Sequence, residues 1–93
     1  MNIADIRTDY KKKALDPGHL LPDPLQQFQQ WFDEALESNL PEVNAMTLST
    51  CDASGQPYSR VVLLKGLEDG KFWFYTNYES LKARQMAENP KVS

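Results

Sequence analysis

The residues that offer binding chemistry stand at the edges of two short apolar runs. Arg60 precedes the first run and Lys65 follows it, with Val61, Val62, Leu63 and Leu64 between them. The second run ends at Tyr75 and Thr76, and Ser80 and Lys82 come soon after. Cations and hydroxyls at strand edges suit an anion, so the pattern favours a phosphate-bearing ligand over a plain hydrophobic core.

Alternation along a strand decides whether Arg60 and Lys65 can act together. On a regular strand Arg60 shares a face with Val62 and Leu64, whereas Lys65 lies on the opposite face. Either the strand bends or ends before Lys65, or the two cations hold different ligand groups. The residues alone leave a third interpretation open, in which both cations flank a buried strand and extend to water.

Thr76, Ser80 and Lys82 surround a predicted helix start. A helix N-terminus offers free N–H groups and a partial positive charge, and nearby hydroxyl and ammonium groups add donors. The alternative is that Ser80 only caps the helix and Lys82 is only solvated. Trp73 and Tyr75 can stack on a flat ring, although aromatic residues in a strand more commonly belong to a core.

Composition excludes several classes of function. The chain has 93 residues, enough for one domain, and its net charge of -3 argues against nucleic-acid binding despite the lysines at 11–13. One cysteine, Cys51, and one histidine, His19, make neither a disulfide nor a Cys/His metal site, and no metal is expected. No signal peptide or membrane span is evident, so a soluble cytoplasmic protein is the default expectation. An enzyme with so few acid–base groups must take its reactivity from a cofactor.

The predicted elements are helices first and strands later. Ile3 and Ile6 begin a helical pattern over residues 3–13, and a clearer helix starts at Asp23 and Pro24, with Gln26 in a capping-box position, and ends by residues 39–41. From residue 45 the period becomes two, which predicts strands at 45–51, 58–64 and 71–76 in an antiparallel meander, with the third buried on both faces. Residues 66–70 are predicted as a tight connection. A last helix, capped by residue 77 or 80, reaches residue 87, and residues 91–93 begin another strand.

Several motifs then occur in a fixed order. They are GQPYSRVVLLK at 55–65, FYTN at 74–77, Ser80, KA at 82–83 and NP at 89–90, preceded by RTDY at 7–10 and LPDPL at 21–25. In this order they closely resemble the pyridoxine/pyridoxamine 5′-phosphate oxidase family, in register over nearly the whole chain.

The resemblance implies an α+β fold in which N-terminal helices precede a Greek-key, antiparallel split β-barrel, here only its first half. It implies a helical segment and loop at 1–22 and an incomplete barrel domain at 23–93. FMN would bind at a homodimer interface, and pyridoxamine or pyridoxine 5′-phosphate would be oxidised to pyridoxal 5′-phosphate. In the family, hydride leaves the substrate's C4′ for flavin N5, and molecular oxygen reoxidises the flavin to give hydrogen peroxide. The alternatives are an FMN- or pyridoxal-phosphate-binding protein without turnover, and a fragment that self-associates.

The resemblance also assigns roles to residues, with the catalytic ones unknown. Contacts to FMN fall on Arg60, Val61, Val62, Leu63, Leu64, Lys65, Tyr75, Thr76, Ser80 and Lys82, with Arg60 and Lys82 near the phosphate. Lys65 would also reach the substrate phosphate, and Arg7 and Tyr10 match a segment that closes over pyridoxal phosphate. The family usually has arginine where Leu81 stands, which implies one phosphate cation fewer.

Overall fold

The computed structural model describes residues 2–8 and 14–93. Two α-helices and two antiparallel strand pairs follow short 3-10 turns at Ile3–Asp5 and Pro17–His19. In chain order these are α1 (Pro24–Glu37), β1 (Ala45–Cys51), β2 (Pro57–Leu63), β3 (Gly66–Glu68), β4 (Lys71–Trp73) and α2 (Leu81–Glu88). This α+β arrangement is consistent with part of a split barrel, so the predicted fold class is confirmed.

Helix α1 begins where the sequence predicts. The side chain of Asp23 accepts a hydrogen bond from the Leu25 N–H at 2.9 Å, and Pro24 occupies the first helical position. The glutamine that ties the preceding loop to the helix is Gln27, not Gln26: its Oε1 accepts the Leu21 N–H at 2.8 Å. The helix is therefore anchored at both its cap and its first turn.

The helix predicted over residues 3–13 is wrong for its described part. Residues Ile3–Asp5 form a single 3-10 turn, and Ile6 is already extended at φ -76° and ψ 109°. Ile3 and Ile6 are both exposed, so their helical spacing has no core to pack on. A short helix without such packing is not stable in water. Residues 9–13 lie outside the described residues.

Strands β1 and β2 form a ladder with one covered face. The register pairs Leu48 with Arg60, and residues 48, 50 and 64 are buried while their odd-numbered neighbours are more exposed. The predicted alternation is thus confirmed. At the connecting turn, Asp52 Oδ1 accepts the N–H groups of Ser54 and Gln56 at 2.9 and 3.0 Å, which fixes the register.

The chain changes partner strand between Leu64 and Lys65. The Leu64 N–H donates to the Asn44 carbonyl at 2.8 Å, and the Lys65 N–H donates to the Trp73 carbonyl at 2.7 Å. Successive N–H groups of an extended chain point to opposite edges, so one bent segment serves both ladders. Residues 66–68, predicted as part of a connection, are instead strand β3 of a hairpin.

The third predicted strand is shorter and more open than the sequence suggests. It spans Lys71–Trp73 rather than 71–76, and Phe72 is 43% exposed, so burial on both faces is wrong. One side of the Phe72 ring meets Phe28 of α1 edge-on, with centroids 4.9 Å apart. The aromatic run therefore attaches the hairpin to α1 on one face and remains exposed on the other.

Helix α2 and the last residue both attach to β1. Ser80 caps α2 by accepting the Ala83 N–H at 3.2 Å, which selects Ser80 from the two predicted caps. Ser93 exchanges two backbone hydrogen bonds with Ser49, at 2.7 and 3.1 Å, as a paired antiparallel strand does. Residue 93 thus lies on the edge of β1 away from β2, which agrees with the predicted start of a further strand.

Candidate anion-binding site

The side chain of Arg60 is held on the covered face of the β1–β2 ladder. Its Nη1 donates to the Leu48 carbonyl at 3.0 Å and to Thr50 Oγ1 at 2.8 Å. Its Nη2 donates to Gln85 Oε1 of α2 at 3.3 Å. The guanidinium therefore bridges the ladder and the helix.

Thr50 and Gln85 form the closed end of this cluster. They are 2% and 3% exposed, and the Thr50 hydroxyl donates to Gln85 Oε1 at 2.6 Å. An arginine side chain can only donate, so the Gln85 atom facing Arg60 must be its carbonyl oxygen. Gln85 Nε2 is consequently turned away, buried and without a hydrogen-bond partner within residues 2–8 and 14–93. Such an atom is uncommon in folded proteins.

Three of the five N–H groups of Arg60 are engaged by these contacts. Nη1 uses both of its hydrogens and Nη2 uses one. Within the described residues, the Nε–H and the second Nη2–H therefore have no acceptor. These two N–H groups lie on one edge of the planar guanidinium. That edge matches two oxygens of a carboxylate or a phosphate.

The start of α2 brings further donors to the same helix. Ser80 Oγ lies 3.3 Å from Thr76 Oγ1, and Lys82 is half-buried in the first turn. Lys82 and Gln85 are three residues apart, so they are neighbours on the helix surface. Thr76, Ser80 and Lys82 thus lie together at the start of α2. The same helix carries Gln85, which accepts a hydrogen bond from Arg60.

Lys65 is not part of this group. Strand β2 ends at Leu63, before Lys65, which is the first of the possibilities that the sequence left open. Lys65 is exposed and borders two cavities, one of about 230 Å³ against α1 and one of about 270 Å³ beside Trp73 and Tyr75. The two cations therefore lie in different surroundings, which suits separate ligand groups.

The remaining residues predicted for the site differ in how far their side chains are buried. Val62 and Leu64 lie on the covered face, whereas Val61 is 69% exposed and Leu63 lies on the same open face. Tyr75 is 79% exposed, so the alternative that placed it in the core is wrong. Arg7 is exposed on the N-terminal segment, and Tyr10 lies outside the described residues.

Two residues of the cluster, Thr50 and Gln85, were missed from the sequence. The signal available for Thr50 was its spacing of two from Leu48, which places both side chains on the same face of β1. The register, which pairs Leu48 with Arg60, then puts Arg60 on that face as well. For Gln85 the only signal in the sequence was its spacing of three residues from Lys82. In the described part of the chain, no three His, Cys, Asp or Glu side chains are grouped as a metal site, and no helix has the length and hydropathy needed to cross a bilayer.

Comparison with known proteins gives one consistent result. A family model described as pyridoxamine 5′-phosphate oxidase matches residues 32–93. Relatives named pyridoxine/pyridoxamine 5′-phosphate oxidase include those of Cupriavidus taiwanensis, 52% identical over 98% of this chain, and Burkholderia mallei, 50% identical over 98%. The relative from Ralstonia nicotianae, named pyridoxine/pyridoxamine 5′-phosphate oxidase 1, is 54% identical over 99%. The chain spans 43%, 42% and 43% of the length of these three relatives.

Proposed function

The chain belongs to the pyridoxamine 5′-phosphate oxidase family, and from this premise we propose that it supplies the FMN-phosphate-binding part of such an oxidase. The reaction would be oxidation of pyridoxamine or pyridoxine 5′-phosphate to pyridoxal 5′-phosphate, with molecular oxygen as the final acceptor. A cytoplasmic homodimer is part of the proposal. Its most direct support is the free edge of the Arg60 guanidinium beside α2.

The residues present fit a phosphate. Arg60 offers two N–H groups on one edge, and Lys82 adds an ammonium group on the helix that contacts Arg60. Leu81 stands where the family usually has arginine, so this chain would bind the phosphate with one cation fewer. Each charge-assisted hydrogen bond to an anion contributes about 1.5–3 kcal/mol. Two from Arg60 would be enough to make the phosphate a large part of the binding free energy.

The other residues take roles around this phosphate. The segment Val61, Val62, Leu63 and Leu64 would line the flavin, with Tyr75, Thr76 and Ser80 as further contacts. When bound, FMN supplies the hydride acceptance that the oxidation requires. Lys65 would bind the substrate phosphate from its separate position, and Arg7 and Tyr10 would cover the bound product. The division 1–22 and 23–93 is retained as the proposed domain organisation.

The proposal is tested by titrating the full chain with FMN and with riboflavin, which lacks the phosphate. We expect FMN to bind more tightly, and Arg60→Ala to weaken FMN binding by about 10- to 100-fold. Lys82→Ala should weaken it less, and Lys71→Ala, an exposed lysine of β4, serves as the matched control. Equal affinity of the unmodified chain for FMN and riboflavin would refute the phosphate assignment.

Catalysis and substrate binding need a second measurement. Formation of pyridoxal 5′-phosphate with release of peroxide would distinguish an oxidase from a protein that only binds the cofactor. Lys65→Ala should raise KM for pyridoxine 5′-phosphate more than it raises Kd for FMN. The opposite ranking would contradict the proposed separation of the two cations.

One observation favours self-association as a second candidate. The open face of the β1–β2 ladder exposes the apolar side chains of Val61 and Leu63. Sedimentation would show a concentration-dependent mass if this surface joins two copies, and Val61→Lys would abolish it.

A further inference from the structure

We infer that Thr50 and Gln85 are positioning residues, which fix the Arg60 guanidinium so that its free edge is presented to a phosphate. The inference rests on the proposed function, in which Arg60 binds the phosphate of FMN. It concerns residues that the family resemblance did not assign.

The contacts determine the orientation of the guanidinium rather than only its position. Thr50 and Gln85 engage Nη1 and Nη2 respectively, at 2.8 and 3.3 Å, and the Leu48 carbonyl takes the second Nη1 hydrogen. Contacts at both terminal nitrogens restrict the rotation of a planar group. The Nε–H and the second Nη2–H are then left together on the one edge that none of these three residues occupies.

The contact of Gln85 with Arg60 leaves the amide nitrogen of Gln85 without a hydrogen-bond acceptor in the described chain. Its Oε1 accepts from both Thr50 and Arg60, while its Nε2 is buried and unpaired in the described chain. Leucine or methionine would fill a similar volume without leaving a donor unpaired. What glutamine provides and an apolar residue does not is an acceptor for Arg60, which indicates orientation of Arg60 as its role.

Orientation matters because an arginine side chain has much conformational freedom. A free guanidinium loses that freedom when it binds a ligand, and a guanidinium already held in place does not. Removing either anchor should therefore weaken phosphate binding while the charge stays present. The signature is a selective loss of affinity for FMN relative to riboflavin.

The test compares two apolar variants with conservative ones in the full chain. Thr50→Val and Gln85→Leu should each reduce the FMN preference, defined as Kd for riboflavin divided by Kd for FMN, by about tenfold, with riboflavin affinity unchanged. Thr50→Ser keeps the hydroxyl and should keep the preference. Gln27→Leu is the matched control, because Gln27 is also buried but its side chain bonds only Leu21 within the described residues.

The outcomes separate this inference from the proposed function. A preference unchanged in Thr50→Val and Gln85→Leu, but lost in Arg60→Ala, overturns the inference and leaves the proposed function standing. Parallel loss of FMN and riboflavin affinity would mean that the two residues act only in packing, which also overturns it. A preference unchanged in Arg60→Ala refutes the proposed function itself. If Gln85→Leu does not fold by circular dichroism, the Thr50→Val and Thr50→Ser pair decides by the same criterion.

Discussion

Arg60 should stabilise the fold even when no ligand is bound, and Arg60→Met tests this directly. Methionine keeps much of the aliphatic length of arginine but removes every donor. The substitution breaks three hydrogen bonds, to Leu48, Thr50 and Gln85. Two of these partners are almost fully buried, so water replaces the lost donors poorly.

The loss of stability in Arg60→Met depends on which hydrogen bonds the three partners of Arg60 retain. Hydrogen bonds to a charged group contribute about 1.5–3 kcal/mol each, but such values do not add within one cluster. Thr50 and Gln85 retain their mutual bond at 2.6 Å, and Leu48 remains paired in the β1–β2 ladder. Arg60 itself is only half-buried. We therefore expect a loss of about 2 kcal/mol in the free energy of unfolding, below the 3–5 kcal/mol of a broken, fully buried ion pair.

Urea denaturation of the ligand-free chain, followed by circular dichroism, measures this loss. Arg84→Met, at an exposed position of α2, is the matched control and should change stability by less than about 0.5 kcal/mol. In a double-mutant cycle, Arg60→Met should cost less when Gln85 is already leucine. An Arg60→Met midpoint equal to that of the Arg84→Met control would refute the cluster as a stabilising contact.

Three further predictions concern the elements around the site. A double-mutant cycle on Phe28 and Phe72, each changed to alanine, should give a coupling of about 0.5–1.5 kcal/mol, since their rings meet 4.9 Å apart; additive losses would contradict that contact. Ser80→Ala should reduce stability by about 1 kcal/mol in urea denaturation by removing the cap of α2, and Ser80→Asp should restore most of it. Hydrogen bonds from Ser54 and Gln56 hold the pKa of Asp52 below its ordinary value of 3.8, so its charge stabilises the fold above that pH. The difference in Tm between the unmodified chain and Asp52→Asn should therefore shrink as the pH falls through the lowered pKa, and a constant difference would be inconsistent with this.

Local signals in the sequence were enough for the parts of the fold that depend on local chemistry. The cap at Asp23, the strand at residues 45–51 and the stop after α2 each follow from neighbours a few residues apart. The signals failed where burial depends on distant partners. Ile3 and Ile6 had helical spacing but are exposed, and Phe72 had apolar neighbours but, among the described residues, packs on the ring of Phe28 alone.

In the candidate site too, local features could be predicted from the sequence and long-range contacts could not. Alternation on β2 predicted the face of Arg60 correctly, and residue types limited the cap of α2 to residue 77 or 80, of which the structure selects Ser80. The contacts of Arg60 were not, because they require both the register that sets residue 48 opposite residue 60 and the packing of α2 on β1. Register and packing are long-range properties, and a threonine and a glutamine in ordinary positions do not signal them.

The interior under α2 explains why one arginine can serve both fold and ligand. Leu48 and Leu64, at 6% and 9% exposed, are the only buried apolar residues of the described chain, so the apolar packing behind the ladder is thin. Hydrogen bonds of Arg60 supply part of the attachment that a larger core would provide. A phosphate on the free edge of Arg60 would bind best while Arg60 is held between β1 and α2. Under this arrangement, ligand binding and the docking of α2 on β1 are thermodynamically linked, and each should be weakened by loss of the other.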